Sequence, residues 1–113
     1  MSNPTEQQAL TLEDAEQIVK IYESYLRLKK NTDFQLVFEE HLLKNEVIRL
    51  HSLLSHPEIA NIESKEKVIF DLEAKSMLKF DLQMIEQIGA MYKEQLEEYR
   101  TAQAEHEAEI VEV

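Results

Sequence analysis

A chain of 113 residues, 43% of them hydrophobic, is one domain in length and can bury a modest core. It contains no cysteine, which excludes disulfides, thiolate catalysis and cysteine-ligated zinc, and its single glycine rules out a glycine-rich phosphate loop. Its net charge is −11, divided as −4 over residues 1–19, zero over 20–79 and −7 over 80–113, which repels phosphate backbones and argues against direct nucleic-acid binding.

The N-terminal residues Met-Ser-Asn-Pro-Thr-Glu have neither the basic start nor the apolar run of a secretory signal. Residues 1–10 are expected to be a flexible acidic segment, with Thr5-Glu-Gln-Gln8 as a candidate capping box. Thr11, followed by Leu-Glu-Asp, is a second N-cap candidate. From there Leu12, Ala15, Val19, Tyr22 and Leu26 recur at spacings of three and four, which predicts an amphipathic helix over about 11–30. Lys29 and Lys30 complement the carbonyl end of that helix, and Asn31 marks its stop.

Thr32-Asp-Phe-Gln35 has the form of another capping box, so a second helix is expected over about 33–55, ended by His56-Pro57. At 100° per residue Leu36, Leu43, Val47, Leu50 and Leu54 form one stripe, while Phe34, Val37, Phe38, Leu42, Ile48 and Leu53 form a broad second arc. A helix apolar on two sides needs two neighbours. Residues 56–63 read as a loop in which Pro57 starts a single helical turn, and Ser64 as the N-cap of a third helix.

The third helix is expected over about 64–104, roughly 60 Å at 1.5 Å per residue. Two series at sevenfold spacing run along it: Phe70, Met77, Met84, Met91 and Leu78, Ile85, Tyr92, Tyr99, with Ala74 and Ile88 between members of the first. Such spacing predicts a coiled-coil-like stripe that must be covered. Gly89 is a weak point, costing roughly 1 kcal/mol relative to alanine. Beyond Tyr99 the apolar pattern fades into an acidic run, so 101–113 is expected to be a solvated, fraying tail.

Asp81 interrupts the first seam between Met77 and Met84. Three readings stay open: a register-setting pair with Arg49 or Arg27, a wet carboxylate where the bundle opens, or a catalytic acid with a raised pKa. None of the four histidines, at 41, 51, 56 and 106, belongs to a His-Glu-x-x-His or Glu-x-x-His arrangement. No catalytic, metal or cofactor residue is assigned, and no enzyme activity is expected. No stretch approaches the roughly 20 apolar residues of a membrane span.

The central block Asn31-Thr-Asp-Phe-Gln35, His41-Leu-Leu, Glu46-Val-Ile-Arg-Leu50 and Leu53-Leu54 before Pro57, followed by a helix with Ile88-Gly89 and a Glu-rich end, resembles small helical proteins of tailed bacteriophages. The resemblance covers about residues 27–107. It implies a virion or head-assembly accessory, in the host cytoplasm or on the particle and not secreted.

The reading is therefore an all-α protein: three helices in a helical hairpin or bundle with one long C-terminal helix. A single helical domain spans 11–100. The expected contact surface for a protein partner, including a second copy, is Phe70, Met77, Leu78, Asp81, Met84, Ile85, Ile88, Met91 and Tyr92. A rival reading takes the acids Glu94, Glu97, Glu98, Glu105, Glu107 and Glu109 as the face of an inhibitor that occupies a basic nucleic-acid-binding surface on a host protein.

Overall fold

A computed structural model describes residues 11–56 and 62–112, with side chains as far as Ile110. Residues 1–10 with the candidate capping box, residues 57–61 of the expected loop, and Val113 lie outside the described residues. All regular structure among the described residues is helical. Helix α1 is Leu12–Lys29. Helix α2 runs without interruption through an α-helical start, Thr32–Phe34, a π-helical stretch, Gln35–Asn45, and an α-helical end, Glu46–Leu54. Helix α3 is Ile62–Glu112, 51 residues.

The ends of these helices follow from local chemistry. Thr11 and Asp14 cap α1 reciprocally: the Asp14 amide donates to Oγ1 of Thr11 at 3.1 Å, and the Thr11 amide donates to the Asp14 carboxylate at 3.3 Å. Helix α2 starts one residue earlier than expected, because Asn31, not Thr32, is its cap; Oδ1 of Asn31 accepts from the Phe34 amide at 3.0 Å. Gln35 reaches back to donate its Nε2 to the Lys29 carbonyl, satisfying one of the open acceptors at the end of α1. Ser64 is not a cap, since α3 already begins at Ile62. That helix also continues past Ala104 to Glu112, carried by its run of alanine and glutamate.

The chain forms two compact units: Met1–Tyr25 with Ile85–Val113, and Leu26–Met84. Helices α1 and α3 contribute to both. In the first unit Ala15 and Val19 of α1 are buried with Leu96 of α3, and Tyr92 packs beside them. The chain directions are opposed, since Tyr22 meets Gly89 while Glu16 lies 3.8 Å from Arg100. At the buried Gly89 the two helices approach closely. A Cβ built there would fall deep inside the van der Waals envelope of Cβ and Cγ of Tyr22, and 2.7 Å from its Cδ1. The one glycine of the chain is thus a packing residue, with its cost in helix propensity offset by the close approach it permits.

Among the described residues of the second unit Leu50 is the buried apolar one, 3% exposed, with Leu43, Val47 and Leu54 half-buried on the same side of α2. Leu36, expected in that stripe, is 58% exposed. The reason is the π-helical stretch of 11 residues, whose amides bond five residues back, as the Glu46 amide does to the His41 carbonyl. Each such turn holds more residues than an α-turn, so positions before His41 fall out of α-helical phase with those after it. Gln35 and Glu39 consequently turn inward, and Leu36, Val37 and Phe38 turn outward. The ring of Phe38 stacks on Phe34 with centroids 4.9 Å apart. The second apolar arc therefore gains only partial cover among the described residues: Phe34, Leu42 and Leu53 are half-buried, while Val37, Phe38 and Ile48 are exposed.

Candidate protein-interaction surface

Helix α3 presents two unlike faces. In the second unit its buried and half-buried positions are Val68, Asp71, Leu72, Lys75, Leu82 and Met84; in the first they are Ile85, Glu86, Gly89, Tyr92, Lys93 and Leu96. Val68, Lys75, Leu82, Gly89 and Leu96 stand seven apart, as do Asp71, Leu78, Ile85 and Tyr92. This pair of series, not the methionine series, is the seam that the chain covers with its own helices. Half of it was legible as Leu78, Ile85 and Tyr92. The other half was missed because Lys75 and Gly89 break its apolar pattern, although its sevenfold spacing was there to be found. Lys75 enters the seam by lying along it with its ammonium group paired to Asp71 one turn back.

The methionine series lies on the opposite side, since Phe70 is about 200° around the helix from Val68 at 100° per residue. Phe70 is 73% exposed and Met77 67% exposed, with Asp81 exposed and Met84 half-buried in the same unit. Ile88 and Met91 of the other unit are exposed as well. Leu78 and Ile85 stand at the border between the two faces. Tyr92 belongs to the core of the first unit, which corrects its expected place in the contact surface. Phe70, Met77 and Asp81 are thus exposed along one side of α3 with Met84 half-buried at its end, whereas Tyr92 packs internally.

Asp81 is not paired with Arg49. That arginine is bound within α2, donating Nη2 to Glu46 at 2.7 Å and Nε to both carboxylate oxygens at 3.1 and 3.2 Å. Asp81 makes no ion pair among the described residues and lies in water. Hydrogen bonding from Arg49 holds the Glu46 carboxyl below its ordinary range against some loss of hydration, helped by the charges of Arg49, His41 and Lys75. Its partner is raised in turn, first by the hydrogen bond to Glu46 and then by the same carboxylate's charge, with Asp71 contributing from α3. The charges of Asp71 and Lys75 on α3 thus also act on this pair within the second unit.

A depressed carboxyl stabilises the fold above the ordinary value of 4.5, and that contribution is lost as pH falls through the lowered folded value. Replacing Arg49 by methionine should therefore return the Glu46 titration, read from side-chain carboxyl NMR shifts, toward 4.5. Melting temperatures of the two proteins should converge as pH drops below that range. A Glu46 titration unmoved by the substitution would contradict the pairing.

One open groove of about 320 Å³ lies between α1 and α3 of the first unit, lined by Thr11, Leu12, Ala15, Tyr92, Gln95, Leu96 and Tyr99. Its lining holds two tyrosines but no carboxylate, histidine or lysine. His41, His51, His56 and His106 are all exposed, and no cluster of three metal-binding side chains occurs among the described residues. No described helix is long and apolar enough to cross a membrane. No protein-family model matches the chain, and neither the curated proteins nor the solved structures contain a significant match to it.

Proposed function

We propose that this protein is a non-enzymatic structural or assembly accessory of a tailed bacteriophage, acting through helix-to-helix contacts with another protein. The observation that carries the contact mode is the outward stripe: Phe70 and Met77 stand in water on a face opposite the one the chain covers for itself. Large apolar side chains at heptad spacing are the chemistry of a helix waiting for a second helix. The phage assignment rests on the sequence resemblance. A phage carrying Met77→Asp in this gene tests both parts. Reduced particle yield or altered particles under the electron microscope, with the purified variant melting like the wild type, is the expected result. Unchanged particles from that variant and from a deletion of the gene would overturn the assignment.

A second reading is favoured by the far end of α3. Glu94, Glu97, Glu98, Glu105 and Glu109 are all exposed and fall within about 120° of one another at 100° per residue. A helix with one acidic face suits a basic surface that otherwise holds nucleic acid. Salt separates the readings: partner binding that survives about 0.5 M salt, where the screening length is only a few ångströms, supports apolar docking and counts against the mimic.

A further inference from the structure

The stripe on the second unit carries a charge as well as an apolar pattern, and the two together define its occupant. Phe70, Ala74, Met77, Asp81 and Met84 follow one another at spacings of four and three, the pattern that receives the knobs of one facing helix over about 21 Å. All but Met84 are exposed, and methionine adapts its shape to what covers it. Covering this face takes Asp81 out of water, which is costly unless the covering helix brings a cation to it. Glu66 and Glu73 border the same face and are exposed. Lys67 borders the face as well, 3.7 Å from Glu63, with both side chains exposed.

A second copy of the chain meets this requirement poorly. Parallel pairing in register sets Asp81 against its own counterpart, and antiparallel pairing centred on Met77 sets Asp81 opposite Glu73. Each copy also brings a net charge of −11. We propose that the Phe70–Met84 face binds a basic amphipathic helix of a partner protein, apolar at heptad positions and carrying one Lys or Arg at the layer that meets Asp81. This inference rests on the contact reading above and names the chemistry of the contact.

The test uses the full chain and a synthetic helical peptide of about three heptads, leucine at its core positions, lysine on its flanks and one lysine in the central core position. Isothermal titration should give 1:1 binding that a scrambled peptide of the same composition does not reproduce. Met77→Ser should weaken it by about tenfold or more, whereas Leu36→Ser, on another exposed apolar patch, should leave it unchanged. Asp81→Asn should weaken binding of this peptide and strengthen binding of its central-leucine version. Equal binding of the scrambled peptide, or indifference to Met77→Ser and Asp81→Asn, would overturn the proposal. So would sedimentation showing a dimer of the full chain that Met77→Ser dissociates. Peptide binding as described together with unaffected phage particles would remove the phage function and leave this contact standing; altered particles with no specific peptide binding would do the reverse.

Discussion

A chain carrying Gly89→Ala is expected to melt below the wild type, although the substitution favours helix formation by about 1 kcal/mol. Sterics oppose propensity here and are larger. The added methyl meets the Cβ of Tyr22, an atom fixed to the α1 backbone that no rotamer change can move away. The two helices must separate, and separation loosens Ala15, Val19 and Leu96, the buried residues of that unit. Overpacking of this kind costs about 1–3 kcal/mol, and each kcal/mol lowers the melting temperature of a chain of this size by roughly 4–8 °C. A double-mutant comparison sharpens the test. Tyr22→Ala keeps the obstructing Cβ and Tyr22→Gly removes it, so Gly89→Ala should cost less in the Tyr22→Gly background than in the Tyr22→Ala background. A Gly89→Ala protein more stable than the wild type would show that α1 does not approach α3 at this point.

The second large effect is expected at Leu50. Leu50→Ala should cost about 2–5 kcal/mol, because the side chain is 3% exposed and its removal leaves a cavity. Leu36→Ala should stay within about 0.5 kcal/mol, since Leu36 is 58% exposed. These two leucines are fourteen residues apart, so an unbroken α-helix places them on nearly the same side and predicts comparable losses. Denaturant unfolding of the two variants therefore reads the register of α2 directly. Comparable destabilisation would mean that the π-helical stretch has relaxed to an α-helix in solution.

What the sequence makes legible is what short-range chemistry controls. The Thr11 cap, the Ala15 and Val19 face of α1, the stop after Leu54 and the great length of α3 all follow from capping groups, spacing and the scarcity of glycine and proline. Two features could not be read in this way. Phase along α2 depends on hydrogen bonds five residues apart, which no residue type announces, so Leu36 was placed inward. The covered seam of α3 contains Lys75 and Gly89, one tolerated because its stem is apolar and its charge is paired, the other required because the helices nearly touch. Both look like interruptions in a linear pattern. The methionine series is the cleaner heptad in the sequence, yet all of it but the half-buried Met84 is exposed. Asp81 marks the difference: a carboxylate in the middle of an apolar row is compatible with a face turned to water and with a face awaiting a cation, and fits poorly in a seam the chain closes by itself.

Beyond Tyr99, α3 goes on for three further turns in which residues 101–110 are all exposed. Residues 101–110, past the contact of Arg100 with Glu16, bury no side chain, and the backbone hydrogen bonds of such turns open by local fraying without disturbing the rest of the fold. Amide protons there should exchange with solvent long before those around Leu96, and a glutamate-specific protease should make its first cuts after Glu105, Glu107 or Glu109. A trimmed chain would keep Ala15, Val19, Gly89 and Leu96, the buried residues described in the first unit. Natural variation in the length and acidity of this end therefore has little bearing on whether the protein folds, which leaves that segment open to be shaped by whatever it meets.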